Sequence, residues 1–356
     1  MRLKIASHLN QSVTTSATIA DIARQAGVGT ATVDRVMNGR AGVNAETTQK
    51  VTLAIAALGK PTVARGRPRL RENFRFTYVL PEGASPFFDQ VERQLAQSAG
   101  DFRHQHITEV TLRLDIQDAA AFAVGLAQLD ECDGIAVLAP DLPAVKLAIN
   151  DKVRAGVHVV TLFSDVAGSL REAYIGLDNR AAGRTAGLLL ARMAGLPQRD
   201  TLLLLSQATR FSAEIERRIG FAQVVEERFA GLRVVRAPDL PLDDLGGYKT
   251  LGQFLKKDID VTRLAGVYCV GTGSSSVVRA LAELGLMHLP GLAVHDATQA
   301  HQSMLGTGEV TYVLNQDIHY CVLAAARVLR GLCDNVRGAP SAVPPRVEIL
   351  TAENLH

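Results

Sequence analysis

The spacing of hydrophobic residues changes along the chain near residue 75. From Thr18 to about residue 60, apolar residues recur every three or four positions, which is the period of an amphipathic helix. After Phe76, short apolar runs alternate with helical patterns such as FDQVERQLAQSAGDF. Such alternation predicts parallel sheets with helices on both faces. The pattern therefore predicts a small all-α head followed by a larger α/β body.

The head pattern predicts three helices. The first follows Thr18, which forms a capping box with a carboxylate three residues later. It ends at Gly27, where glycine permits the positive φ that a helix-turn-helix turn requires. The second helix covers about residues 30–37, and the third follows the N-cap residue Asn44. Two interpretations remain at this point: a helical bundle without a DNA role, and a DNA-binding helix-turn-helix.

The body contains ten candidate strands. They lie at residues 75–80, 107–114, 133–139, 157–163, 173–177, 201–206, 232–237, 265–270, 291–296 and 310–314. A body of this length would form one very large sheet or two lobes, and the usual size of domains favours two lobes.

Charge separates the head from the body. Residues 1–75 hold 12 Lys+Arg and 4 Asp+Glu, whereas the remaining residues hold 26 and 32. A basic head on a mildly acidic body predicts that the head binds a polyanion. No apolar run is long enough to span a bilayer, and residues 1–17 lack the apolar core of a signal peptide. We therefore expect a cytoplasmic protein that has no membrane partner and whose first 17 residues are disordered.

The head resembles a known family. The segment IADIARQAGVGTATVDRVMNGRAGVNAETTQKV is similar to the DNA-binding head of the LacI/GalR (lactose-repressor) family of bacterial transcriptional regulators. The resemblance implies a helix-turn-helix domain over residues 18–60, with Thr30, Ala31 and Arg35 reading the major groove. The implied DNA contacts, with two linker arginines included, are Thr18, Thr30, Ala31, Thr32, Arg35, Asn38, Arg65 and Arg67.

A basic linker, residues 61–74, follows the head and contains VARGRPRLR. In the family a hinge helix at this place inserts a leucine into the minor groove, but here the corresponding position is Arg67, and Pro68 disfavours helical geometry before it. Leu70 is a second candidate for the wedge. The core RGRP resembles an AT-hook, since narrow minor grooves attract arginine. Minor-groove insertion, phosphate contact without insertion, and a plain linker all remain open.

The resemblance extends through the body. The segments RFTYVLPEGASPFFDQVERQL, YIGLDNRAAGRTAGLLLA and GLAVHDAT are similar to landmarks of type I periplasmic sugar-binding proteins, the fold of the family's effector domain. The resemblance implies a two-lobed effector-binding and dimerisation domain over residues 75–356. Its N-lobe would cover about 75–163 and 317–342, and its C-lobe about 164–316 and 343–356.

Ligands of such folds bind between the lobes, at the carboxyl ends of the strands. Mapped onto this chain, the implied effector contacts are Ser85, Phe87, Phe88, Asp141, Phe163, Asp178, Arg217, Gly271, Thr272, Asp296 and Gln316. One of the two adjacent phenylalanines is expected to face the cleft, and Asp178 has capping of the next helix as its alternative role. Gly271 stands where relatives have an asparagine, so the pocket is expected to take a less polar or bulkier ligand than a free hexose.

The predicted function is that of a homodimeric DNA-binding regulator, by the resemblance a repressor, whose operator affinity is controlled by a small-molecule effector. The expected effector is a sugar or sugar derivative. No metal site or cofactor is predicted. Two alternatives were weighed. A DNA-binding protein without an effector would fit the head alone. An NAD-dependent oxidoreductase would use the strand, Gly271-x-Gly273 and helix of AGVYCVGTGSSSVVRALAEL, but the third glycine of that fingerprint is Ser276.

Overall fold

The computed structural model describes residues 18–37, 42–58, 73–83, 85–116, 118–194, 198–206, 210–240, 244–271, 273–286, 291–335 and 343–355. The chain divides into two compact units, residues 1–72 and 73–356. The predicted N-terminal extension and most of the predicted basic linker lie outside the described residues. The predictions for Asn38, Arg65, Arg67 and Thr272 also fall there.

The first unit contains the three predicted helices, which are α1 (Ile19–Ala26), α2 (Thr30–Met37) and α3 (Ala45–Leu58). The capping box at Thr18 is present, and Gly27 has a φ of 65°, which permits the tight turn between α1 and α2. Asn44 accepts a hydrogen bond from the Thr47 amide at 2.8 Å. The predicted caps and turn of the head are thus confirmed.

The core of the head is built from few and small side chains. Ile22, Val33 and Val51 are fully buried, one from each helix, and Ala23 and Ala54 pack beside them. Small residues suit this core because helices this short must approach closely to bury any apolar surface. The apolar stripes of the sequence therefore face one another.

The second unit contains eleven strands and nine helices within the described residues. The strands are β1 (Phe74–Glu82), β2 (Ile107–Asp115), β3 (Gly134–Val137), β4 (His158–Leu162), β5 (Ala173–Ile175), β6 (Thr201–Leu205), β7 (Arg233–Arg236), β8 (Leu264–Cys269), β9 (Leu292–His295), β10 (Tyr312–Asn315) and β11 (Glu348–Leu350). The helices are α4 (Pro86–Ser98), α5 (Ala119–Ala127), α6 (Pro143–Arg154), α7 (Asn179–Met193), α8 (Ser212–Arg228), α9 (Asp244–Lys257), α10 (Ser274–Glu283), α11 (Gln299–Gly306) and α12 (Ile318–Cys333). All ten predicted strands are present, and β11 was not predicted.

The strands form two sheets. The first has the order β2-β1-β3-β4-β5 and is parallel throughout, and the second has the order β11-β10-β9-β8-β6-β7 with only β11 antiparallel. Helices α4 and α12 cover one face of the first sheet, and α5 and α6 cover the other. Helices α7 and α8 cover one face of the second sheet, and α9, α10 and α11 cover the other. The predicted two-lobed α/β architecture is confirmed.

One lobe boundary differs from the expectation. Strand β5 pairs with β4, so the N-lobe continues through Ile175 instead of ending at Phe163. The sequence could not assign β5 to the N-lobe, because a strand of three residues is too short for its hydrophobic pattern to show which sheet it joins. Helix α12 packs on the first sheet and β11 on the second, so the chain crosses between lobes after β5, after β10 and again before β11.

Helices α7 and α8 of the C-lobe pack closely against each other. A Cβ on Gly183 of α7 would overlap the carbonyl oxygen of Arg217, and one on Gly220 of α8 would overlap the carbonyl oxygen of Arg180. The two glycines therefore allow the backbones of α7 and α8 to touch. This contact sets the position of Arg217 relative to the hinge.

No helix among the described residues is long and apolar enough to cross a membrane.

Candidate functional site

Most of the predicted effector residues follow the carboxyl ends of strands in the two sheets. In open sheets of parallel strands, ligands bind at this edge. The lobes also contact each other directly. The Asp141 amide donates to the Arg210 carbonyl oxygen at 2.8 Å, and the Arg210 Nη1 donates to the Ile116 carbonyl oxygen at 3.1 Å.

Four phenylalanine rings form two edge-on pairs, one within the N-lobe and one between the lobes. Phe87 meets Phe163 with ring centroids 5.3 Å apart, and Phe88 meets Phe211 at 6.0 Å. Phe163 is buried and has a φ of 57°, an uncommon conformation for a non-glycine residue. Both Phe87 and Phe88 are half-buried and pack against the N-lobe core, so which of them would face a ligand stays a prediction. Phe211, the N-cap of α8, was not predicted because its place beside Phe88 depends on the meeting of the two lobes.

Arg217 lies at the centre of a hydrogen-bond chain that reaches the hinge. Its Nε donates to Asn179 Oδ1 at 2.8 Å, and its Nη1 donates to the Val270 carbonyl oxygen at 3.3 Å. Asn179 Nδ2 in turn donates to the Tyr174 hydroxyl at 2.9 Å, and that hydroxyl donates to the Leu177 carbonyl oxygen at 2.9 Å. Arg217 therefore braces the segment between β5 and α7, a role that the sequence did not predict.

Asp296 and Gln316 form a buried pair at the ends of β9 and β10. Gln316 Nε2 donates to Asp296 Oδ1 at 2.8 Å, and Asp296 has a φ of 66°. Burial raises the pKa of the Asp296 carboxyl, against the opposing effects of the nearby Arg217 charge and the Gln316 hydrogen bond. Gln316 Oε1 is buried and accepts no hydrogen bond from any residue that the structure describes. An acceptor in that condition favours a ligand donor, because an unsatisfied buried polar atom is costly.

Ser85 has the same character on the N-lobe side. Its residue is 6% exposed, and its Oγ has no hydrogen-bond partner among the described residues. Ser85 precedes α4, at the end of the loop after β1. Ser85 and Gln316 were both predicted as effector contacts, and that role stays a prediction.

Two predicted contacts lie in different surroundings. Asp178 is exposed and accepts a hydrogen bond from the Ala181 amide at 2.9 Å, so it caps α7 as in its alternative interpretation. Asp141 is also exposed, at the mouth of the cleft. Burial and the neighbouring Asp165 raise the pKa of the Asp141 carboxyl. Asp165 itself is held by Arg171 and accepts from Thr161 at 2.8 Å.

The space beside the Gly271 backbone is occupied by another side chain. A Cβ added to Gly271 would lie 2.6 Å from Glu214 Oε1. The carboxylate of Glu214, from the first turn of α8, therefore fills the space that a side chain at position 271 would take. The sequence shows that residue 271 has no side chain, but only the fold shows that the Glu214 carboxylate occupies the space beside it.

The candidate DNA-reading residues occupy the outer side of the head. Thr30, Ala31 and Arg35 are exposed, whereas Thr32 is half-buried. Glycine replaces the usual capping residue before α2, and the Gly29 carbonyl oxygen accepts from the Thr32 amide at 2.9 Å. The surface of α2 is therefore free of core contacts at the three positions assigned to the major groove.

Comparison with known proteins follows this geometry. Residues 76–335 match the family model described as the periplasmic binding protein domain. The chain belongs to that family. Residues 18–59 match the model of bacterial regulatory proteins of the lacI family, so the recognition of a lacI-type regulator is confirmed.

Two curated proteins match this chain over a short part of its length. The HTH-type transcriptional regulator MalR of Streptomyces coelicolor is 40% identical over 80 residues, which are 22% of this chain and 23% of MalR. The regulator reg1 of Streptomyces lividans is 41% identical over 80 residues, with the same coverage of both chains. The match thus spans about a quarter of the length of these relatives.

Solved structures support the fold of the effector domain. A protein from Bacteroides fragilis assigned as a LacI transcriptional regulator has a TM-score of 0.71 at 14% identity, covering 79% of this chain and 98% of its own. A solute-binding protein from Burkholderia graminis, solved with D-arabinose, has a TM-score of 0.71 at 20% identity, covering 80% and 97%. A solute-binding protein from Actinobacillus succinogenes with bound D-allose has a TM-score of 0.68 at 14% identity, covering 79% and 98%.

Proposed function

We propose that this chain is a cytoplasmic, homodimeric transcriptional regulator, which binds an operator through α2 and a sugar effector between its two lobes. The observation that carries the proposal is the presence of a lacI-type head and a two-lobed periplasmic-binding-protein-like domain in one polypeptide. Fold neighbours that hold D-arabinose and D-allose support a sugar as the effector. We propose no enzymatic activity.

The head supports sequence-specific binding. Exposed Arg35 can hold a guanine through two hydrogen bonds, which contributes about 1–3 kcal/mol of discrimination against other bases. Thr30 and Ala31 lie one turn earlier on α2 and complete the reading surface. Two heads would bind half-sites related by the two-fold axis of a pseudo-palindromic operator. The linker residues Arg65 and Arg67, which lie outside the described residues, are proposed contacts in the minor groove or at its phosphates.

The effector site is proposed from the cleft geometry. Ser85, Gln316 and Asp296 offer buried acceptors, and Arg217 and Gly271 lie beside them, while the phenyl rings of Phe87, Phe88 and Phe163 suit the apolar face of a sugar ring. Asp141 is a further proposed contact, and so is Thr272, which lies outside the described residues. Asp178 is proposed only as the cap of α7, close to the cleft.

Binding to DNA tests this function directly. An operator is first selected from random duplexes with the full chain, and affinity is measured by fluorescence anisotropy over a range of salt. We expect log Kd to rise linearly with log salt, because phosphate binding releases counterions. Arg35→Ala should lose about 5- to 150-fold in affinity for the selected operator and little for random duplex.

Arg24→Ala is the matched control, because Arg24 is an exposed arginine of α1 that pairs with Asp21 outside the reading helix. It should retain the preference for the operator. Equal affinity of the wild-type chain for every duplex would contradict the proposed function.

A further inference from the structure

The first turn of α8 is joined to the opposite lobe. Helix α8 packs on the second sheet and so belongs to the C-lobe, and its N-cap residue is Phe211, whose side chain cannot accept a hydrogen bond. An acceptor comes from the N-lobe instead, because the Ala213 amide donates to Ser164 Oγ at 3.4 Å. Ser164 follows β4 and is 2% exposed, so this contact is shielded from water. A residue of one lobe therefore caps a helix of the other.

Two serine hydroxyls extend the contact between the lobes. Ser212 donates to the Asp165 carbonyl oxygen at 2.6 Å, and Ser164 Oγ lies 3.2 Å from Ser212 Oγ. Each hydroxyl carries one proton and can accept through its lone pairs. Because the Ser212 proton is used at Asp165, the Ser164 hydroxyl donates to Ser212 and accepts from the Ala213 amide. These groups therefore form one chain of hydrogen bonds that crosses from lobe to lobe.

The loop that carries Ser164 is held in place by its own lobe. Asp165 pairs with Arg171 and accepts a hydrogen bond from Thr161 at 2.8 Å. Both partners lie in the N-lobe, on β4 or between β4 and β5, so they fix the loop independently of the C-lobe. Ser164 is therefore a fixed anchor for the start of α8.

The same loop also contacts α7, which carries the hydrogen-bond partner of Arg217. Asn179 Nδ2 donates to the Phe163 carbonyl oxygen at 3.3 Å, and Asn179 Oδ1 accepts from Arg217 Nε of α8 at 2.8 Å. Residues 163–165 thus contact the first turns of α7 and α8. Separation of α8 from this loop would move Arg217, a proposed effector contact that lies in the next turn of the helix.

From this arrangement we propose that Ser164 is a positioning residue of the effector site, which caps α8 from the opposite lobe and so makes the position of Arg217 depend on contact between the lobes. The inference rests on the proposed effector site. Ser164 is not itself a ligand contact in this proposal, because its hydroxyl is used within the chain of hydrogen bonds.

Hydrogen exchange at single amides tests the inference without a ligand. Ser164→Ala removes the acceptor of the Ala213 amide, which should exchange about 3- to 10-fold faster, as expected for the loss of one hydrogen bond. The Asp141 amide is the second readout, because it donates across the lobes to the Arg210 carbonyl oxygen, a bond that does not involve Ser164. If Ser164 holds the lobes together, the Asp141 amide should accelerate by a similar factor. Acceleration of Ala213 alone, or of neither amide, would overturn the inference.

Ser169→Ala is the matched control. Ser169 lies in the same segment between β4 and β5, and its hydroxyl donates to the Val166 carbonyl oxygen at 2.7 Å within the N-lobe. Neither amide should change its exchange rate in this variant. Ser212→Ala interrupts the chain of hydrogen bonds at a half-buried position and should accelerate both amides, so the test remains decisive if Ser164→Ala does not fold.

Isothermal titration calorimetry on the full chain measures the consequence for the effector site. The probes are D-arabinose, D-allose, D-glucose and D-galactose, and a sugar that binds should bind Ser164→Ala about 3- to 10-fold more weakly than the wild type or Ser169→Ala. Equal affinities would overturn the positioning role. Failure of all four sugars to bind would count against the proposed sugar effector, whereas the exchange comparison needs no ligand and decides the inference by itself. Operator binding, measured by anisotropy on the same proteins, keeps failure of the inference distinguishable from failure of the proposed regulator.

Discussion

At the residue scale, a buried histidine shows how environment sets protonation. His295 Nε2 lies 2.6 Å from the Tyr268 hydroxyl, and within the described part of the chain its Nδ1 has no hydrogen-bond partner. Burial holds the pKa of His295 well below 6.5, and the charges of Arg217 and His301 act in the same direction. The folded state therefore keeps this imidazole neutral, whereas the unfolded chain protonates it below pH 6.5.

This difference predicts a pH dependence of stability. Because the pKa of His295 is lower in the folded state, its contribution to the free energy of unfolding is complete above pH 6.5. That contribution decreases as the pH falls towards the folded pKa. His295→Gln should remove a slope of about 1 kcal/mol per pH unit between pH 6.5 and 5.5, measured by urea denaturation at several pH values. His104→Gln, at an exposed histidine, is the control. If the free energy of unfolding changed with pH equally in His295→Gln and the wild type, protonation of His295 would not be the cause.

The resemblance assigned Ser85, Asp296 and Gln316 to the effector site, and that assignment stays a prediction. Among the described residues, Ser85 Oγ and Gln316 Oε1 have no hydrogen-bond partner. Glu214 and Phe211 were not predicted, because their neighbours, Gly271 and Phe88, come from distant parts of the chain.

At the element scale, the contact between α7 and α8 carries the most stringent packing requirement. A methyl group on Gly183 would overlap the Arg217 carbonyl oxygen, so the helices would have to separate. The separation would also move Arg217 away from Asn179. Element boundaries themselves followed the sequence closely, because caps such as Thr18 and Asn44 act locally.

The packing requirement predicts that Gly183→Ala lowers the free energy of unfolding by about 1–3 kcal/mol, as overpacking commonly does. Gly252→Ala is the matched control, because Gly252 also lies within a helix but has nothing within 4 Å of its added Cβ. That control should be neutral or more stable by up to about 1 kcal/mol, since alanine favours helix. Urea denaturation measures both, and equal effects of the two substitutions would show that the helix crossing is not tightly packed.

At the scale of the whole molecule, regulation requires that ligand binding in the cleft and DNA binding by the head be energetically coupled. The lobes contact each other through Asp141 and Arg210, and the chain crosses between them three times. A ligand that changes how the two lobes are arranged would shift the three chain segments that connect them. Such coupling is reciprocal and typically amounts to about 1–3 kcal/mol.

Reciprocity gives the last prediction. A sugar that binds should change the operator Kd by about 5- to 150-fold, and the operator should change the sugar Kd by the same factor. Anisotropy with and without sugar measures the first factor, and calorimetry with and without operator measures the second. A sugar that binds tightly without changing operator affinity would instead support the alternative of a DNA-binding protein that no effector regulates.

Hydrophobic periodicity, caps and charge are local properties of the chain, so they were enough to predict the elements and the division into head and body. They located the ten strands and the three head helices, and the effector residues stay a prediction. The tertiary structure alone decided that β5 belongs to the N-lobe, that Arg217 braces the hinge and that Glu214 occupies the space left by Gly271. These facts depend on which distant residues become neighbours, and no local pattern contains that information.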